Sequence, residues 1–168
     1  ETAAQMQAAV EALAPVADVV VMSAAVADFR PKVAEPGKIK KDGGVPEIVL
    51  EPTPDILAGL GARKRPGQVL VGFAAETSDL VANAQAKLLR KNLDLIVAND
   101  VSAPQVGFQH DTNAVTLLGA AGVISTVALT DKRSVARAIL QCVAELRSGV
   151  SRSDSTRQSN PTDSGAAQ

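Results

Sequence analysis

The 168 residues suffice for one domain with a substantial core, and 46% hydrophobic against 21% charged residues is the balance of a globular chain. A formal net charge of −1 and 2% aromatic residues, with no Trp or Tyr, argue against a nucleic-acid partner: neither counterion release nor base stacking has the side chains it needs. No apolar run approaches the ~20 residues that span a bilayer, no secretory pattern opens the chain, and the single Cys142 has no partner for a disulfide or a metal site. A cytoplasmic setting with no membrane partner is expected, and Glu1 in place of a start Met suggests a piece of a longer chain.

Taken in order, Ala3 to Leu13 is Ala-rich with Met6, Val10 and Leu13 at helical spacing, and Pro15 ends it. Asp18 to Met22 reads as the first strand. Phe29 to Gly44 is rich in Lys, Pro and Gly without an apolar period, so a long lid-like loop is expected. Ile48 to Leu50 reads as a short strand. Thr53-Pro54-Asp55 reads as a helix start, with the Thr53 hydroxyl as cap and Pro54 in the first position. Gln68 to Ala74 is a buried strand. Thr77 or Ser78 should cap a helix running to Lys91, and Leu93 to Ala98 is the next strand. Ala114 to Leu118 and Val123 to Ala128 flank Gly119 to Gly122 as a hairpin. Asp131 to Leu146 is amphipathic, with Val135, Ile139, Val143 and Leu146 on one face. From Ser148 the chain is Ser, Arg, Asp, Gly and Gln with almost no apolar residues, so residues 148–168 read as a disordered tail after a domain of residues 1–147. Strands alternate with helices and are continuously apolar. This predicts the α/β class: a Rossmann-like, mostly parallel sheet with helices on both faces, plus a β-hairpin extension. The first strand-helix unit of such a sheet is not visible.

Four segments could carry chemistry. AAVADFRP, residues 24–31, follows the first strand; small residues let a ligand approach the backbone, and Asp28 and Arg30 offer polar handles. Lys38-Ile39-Lys40-Lys41 is either a solvated basic loop or a lid that brings ammonium groups to polyphosphate. GFAAET, residues 72–77, closes a strand; Phe73 is either a core residue or an apolar wall beside a base. Lys87 and Lys91 follow on the next helix. At about 100° per residue, Lys91 falls inside the stripe set by Leu80, Ala84 and Leu88, with Lys87 at its edge. Either both reach along the surface into a cleft, or Lys91 is a C-terminal cation favoured by the helix dipole. His110 reads as a loop residue and Cys142 as packing. No CxxC, HExxH, GxSxG, P-loop or GxGxxG pattern occurs.

AAVADFRP, KIKK, TPDIL, GFAAET, KLLRKNLDLIVANDVS and GFQHDTN, in this order, resemble the phosphopantothenate–cysteine ligase family, the synthetase half of a bifunctional bacterial coenzyme A biosynthesis flavoprotein. The resemblance covers about residues 1–146. It implies that the carboxylate of 4′-phosphopantothenate attacks the α-phosphate of CTP with Mg²⁺ assisting, and that cysteine then displaces CMP. It implies that Lys38 is catalytic and that Lys87 and Lys91 hold the nucleotide. Asp28 matches a nucleotide-contacting acid. Met22, Ser23 and Ala24 would meet the base through the backbone, with Thr53, Pro54 and Asp55 bordering it and Phe73 packing nearby. Thr53 stands where many bacterial relatives carry Asn. The family's Gly-rich N-terminal unit is absent, as is the FMN-bearing decarboxylase half, so nucleotide binding without the complete reaction is expected of this chain. The resemblance further implies a homodimer, with the hairpin in its interface, in a larger assembly with the decarboxylase domain. The KIKK and NDVS segments favour CTP over ATP. The competing readings are another Rossmann-like nucleotide module, such as a dehydrogenase, which has little need of three converging lysines, and a non-catalytic interaction domain.

Overall fold

The computed structural model describes residues 2–33, 37, 47–100 and 111–149. In chain order these form α1 (Ala3–Leu13), a 3₁₀ turn (Ala14–Val16), β1 (Val19–Met22), β2 (Phe29–Pro31), β3 (Leu50–Pro52) and α2 (Ile56–Ala62). Then come β4 (Val69–Glu76), α3 (Leu80–Arg90), β5 (Leu95–Asp100), β6 (Thr112–Gly119), β7 (Gly122–Asp131) and α4 (Lys132–Ser148). Five strands make one sheet in the order β1-β4-β5-β6-β7, and β2 pairs with β3 in a separate ribbon. β1, β4 and β5 run parallel; β6 and β7 are antiparallel additions, joined through the tight turn between Gly119 and Gly122.

The continuous apolar runs of β4 and β5 follow from burial on both faces. Side chains alternate along a strand. Leu70 and Ala74 therefore meet Ile56 and Leu60 of α2 and Ala84 and Leu88 of α3, with Met6 and Val10 of α1 packed alongside. Val69 and Val71 point the other way, toward Val135, Ile139 and Val143 of α4. The predicted α/β sheet with helices on both faces and a hairpin extension is what forms. Cys142 is a packing residue, 2% exposed in the α4 layer.

Several local expectations are corrected. Phe29–Pro31 is a strand, not part of a loop, and its partner is Leu50–Pro52 rather than residues 48–50. Three-residue strands carry no period to read, and prolines fit because each strand of a two-stranded ribbon has a free edge. Thr53 does not cap α2: its hydroxyl donates to the Ala27 carbonyl. The cap is Asp55, whose Oδ1 accepts from Ala58 N at 3.0 Å, so Pro54 lies just outside the helix. Nor does Thr77 or Ser78 cap α3. Asp79 does so in the left-handed region, φ 46°, without a side-chain cap bond. β4 and β5 each extend two residues past their expected ends, to Glu76 and Asp100. Leu146 is 39% exposed because it lies in the last turn of α4, beyond the final buried residue Val143. That helix ends at Ser148, with Gly149 as its left-handed C-cap, φ 68°.

Candidate functional site

The carboxyl ends of β1, β4 and β5 bring together most of the singled-out segments. After Met22, which is 9% exposed at the end of β1, Ser23 and Ala24 open onto the surface. Thr53 is clipped to that segment twice: its N–H donates to Asp28 O at 2.9 Å, and its hydroxyl donates to Ala27 O. The AAVAD and TPD stretches are thereby one unit. A cavity of about 440 Å³ lies beside it, lined by residues 24–27, Phe29, Arg30 and Thr53 and closed by the first turn of α1. Arg30 turns to Glu51 across the β2–β3 ribbon, with Nε to Oε1 at 2.7 Å. The Asp28 side chain is exposed.

Two ammonium groups complete the row. Only three residues separate β4 from α3, so the helix N-terminus starts beside the strand's carboxyl end. Helical side chains lean toward their own N-terminus, which carries the lysines back toward that end. Lys87 Nζ lies 2.6 Å from Oε1 of Glu76, the last residue of β4. Lys91 Nζ lies 2.9 Å from Oδ2 and 3.1 Å from Oδ1 of Asp55. Lys91 is the C-cap of α3, and its ammonium also reaches along the surface to Asp55. Partial burial on its own would raise the Asp55 carboxyl. The Lys91 ammonium and the Ala58 N–H outweigh it and hold the group below its ordinary value. One carboxylate thus caps α2 and anchors a lysine.

Phe73 does not join this row. By alternation with Val69 and Val71 it projects from the α4 face, where it is 39% exposed, opposite to the face that carries α2 and α3. Lys38 lies outside the described residues, as do the rest of the KIKK segment and His110. Glu76, the partner of Lys87, is the residue of this row that the sequence reading missed. It is eleven residues from Lys87 with no shared period, and the only signal was an acid at the end of a buried strand. Among the described residues no three or more His, Cys, Asp or Glu side chains gather as a metal site, and no helix is long and apolar enough to cross a membrane.

The profile of the DNA/pantothenate metabolism flavoprotein C-terminal domain matches residues 1–146. The chain belongs to this family. It is 46% identical over 146 residues to the coenzyme A biosynthesis bifunctional protein CoaBC of Bacillus subtilis (strain 168), covering 87% of this chain and 36% of that protein. It is also 44% identical over 146 residues to a protein of an unknown prokaryotic organism named cysteine/cysteine sulfinic acid decarboxylase, covering 86% of this chain and 40% of that one. A crystal structure of the C-terminal domain of CoaBC superposes with a TM-score of 0.71 at 37% identity, over 89% of this chain and 64% of that one. The chain therefore spans well under half the length of these curated relatives, and two different activity names share the matched region. The sequence resemblance is borne out at the level of the family: this is a relative of the C-terminal domain of coenzyme A biosynthesis proteins, with their α/β fold.

Proposed function

We propose that the domain binds CTP as its magnesium complex and takes part in ligating 4′-phosphopantothenate to L-cysteine. The reading rests on one observation above the rest: two ammonium groups of one helix are each held by a carboxylate, one at the carboxyl end of β4 and one two residues after Thr53, which lines the cavity with Ala24, Ala25 and Ala27. The substrate carboxylate attacks the α-phosphorus of CTP. The bond to the β-phosphate oxygen breaks, and pyrophosphate leaves with that electron pair. The cysteine amine then attacks the acyl carbon of the cytidylate, loses a proton, and CMP departs. A carboxylate approaching a triphosphate meets strong repulsion, which fixed cations offset while positioning supplies much of the rate.

In this reading Lys87 and Lys91 exchange Glu76 and Asp55 for phosphate oxygens. Residues 22–24 offer their backbone to the base, bordered by Thr53 and Pro54. Asp28 contacts the nucleotide, and Lys38 stabilises charge in the acyl-cytidylate step. Magnesium bound with the triphosphate would offset its charge, and phosphate oxygens and water would be its main ligands, since among the described residues no cluster of acids or histidines gathers to hold it. FMN belongs to the decarboxylase half; in this reading the domain forms a homodimer, and a larger assembly with that half, in the cytoplasm.

The test is the thermal midpoint with Mg²⁺ and either CTP, ATP or NAD. At 100 times its dissociation constant a ligand stabilises by roughly 2.7 kcal/mol, a shift of several degrees. A shift with CTP and a smaller one with ATP is expected. A response to NAD alone, or to no nucleotide, would overturn the reading.

A further inference from the structure

The Lys91 ammonium sits at the N-cap of α2, but its backbone is fixed at the other end of that helix. Asn92 follows Lys91 with φ 52°, a left-handed conformation that Asn tolerates better than most residues. Its Nδ2 donates 2.8 Å across to the Gly61 carbonyl, near the end of α2. Gly61 allows the approach: a Cβ there would lie 1.9 Å from Lys91 O and 2.9 Å from the Lys91 carbonyl carbon. From below, Lys64 Nζ donates to Asn92 O and to Asp94 Oδ1, both at 2.9 Å. Asp94 Oδ2 in turn accepts from Leu70 N at 2.8 Å.

From Gly61 back to Asp55 is six residues, about 9 Å by helical rise. An extended lysine side chain ending in one hydrogen bond covers that span with little to spare. The place where α3 touches α2 therefore sets whether Lys91 reaches Asp55.

We infer that Gly61 and Asn92 are positioning residues, a latch that fixes the Lys91 peptide against α2 so that its ammonium arrives at the nucleotide site. The inference rests on the reading of Lys91 as a phosphate ligand. Neither latch residue needs to touch the nucleotide. Displacement of the peptide by an ångström is enough to lose alignment.

A double-mutant cycle on the intact protein, read by calorimetric titration with CTP and Mg²⁺, tests it. Asn92→Gly keeps the positive φ and removes the side-chain bond. It should weaken CTP binding about threefold or more when Lys91 is present, and hardly at all in a Lys91→Ala background, because coupled residues are not additive. Lys91→Ala alone should weaken binding about tenfold, a loss of roughly 1.4 kcal/mol. Equal weakening by Asn92→Gly in both backgrounds, or none in either, would overturn the latch and leave the Lys91 reading standing. Wild-type affinity of Lys91→Ala would overturn both. Gly61→Ala, where it folds, should reproduce the Asn92→Gly loss, and a folded Gly61→Ala protein with wild-type affinity also counts against the latch. Where it does not fold, the Asn92 cycle decides.

Discussion

The two ends of the parallel strands each present a cavity of about 440 Å³ with basic side chains beside it. At the amino ends the polar groups hold main-chain carbonyls, besides the carboxylate pairs of Lys64 with Asp94 and Arg147 with Asp18. Lys64 donates to Asn92 O, Arg65 to Ala17 O, and the buried Gln68 to Ala14 O and Ala17 O, each of the Gln68 bonds at 2.8 Å. At the carboxyl ends, among the described residues, the Lys87 and Lys91 ammonium groups hold the side-chain carboxylates of Glu76 and Asp55. The distinction is physical. Removing a donor from a main-chain carbonyl orphans a group that no rotamer change can re-satisfy. The Asp55 side chain, half exposed, can turn to water when displaced from its lysine, so an incoming anion can take its place. Cavity size does not separate the two ends, but main-chain acceptors do: at one end side chains stitch loops together through backbone carbonyls, and at the other Lys87 and Lys91 pair with carboxylates.

Substitutions at each end sharpen that contrast. Gln68→Leu removes both bonds to the turn after α1 from a side chain that is 7% exposed. It should lower stability by about 2 kcal/mol in denaturant titration, with CTP affinity unchanged. A matching loss of affinity would show that the two ends are not independent. Lys87→Ala should move both quantities. CTP binding should fall about tenfold, roughly 1.4 kcal/mol, with a stability loss of about 1–3 kcal/mol, because the Glu76 side chain, 11% exposed, loses its partner. A large stability loss with intact binding would move Lys87 into the structural class.

The smallest effect concerns Asp55. Asn caps a helix about as well as Asp, so Asp55→Asn isolates the ion pair with Lys91. The folded-state pKa of Asp55 is lowered, so its contribution is fully present above the unfolded-state value, ~3.9, and is lost as pH falls through the folded-state value. Wild type should therefore exceed Asp55→Asn in stability by less than about 1 kcal/mol at neutral pH, with the gap closing in acid below the ordinary carboxylate range. A gap that stays constant with pH would remove the ion pair as its cause.

What the sequence disclosed follows the same division between local and distant partners. β4 and β5 were legible because Leu70, Val71, Ile96 and Val97 are buried, on both faces of the sheet, and so form unbroken apolar runs. The ribbon was not, since Phe29 pairs with Pro52, and twenty-odd intervening residues hide that register. Thr53 looked like a cap because its hydroxyl suits the role, but the Ala27 carbonyl claims it and the carboxylate two residues on serves instead. The helical phase of Lys87 and Lys91 placed both near the apolar stripe of α3, which the reach of their ammonium groups explains. Glu76 and the Gly61–Asn92 contact escaped, since both depend on how α3 lies against neighbours distant in sequence.

A titration with CTP and Mg²⁺, followed through backbone amide NMR shifts, tests most directly which end is the nucleotide site. The largest shifts should fall on residues 23–28, on Thr53 and Asp55, and on Glu76 and Lys87, with little change at residues 64–69 or Arg147. Shifts concentrated on Lys64, Arg65, Gly67 and Arg147 would place the nucleotide at the amino ends and contradict the assignment.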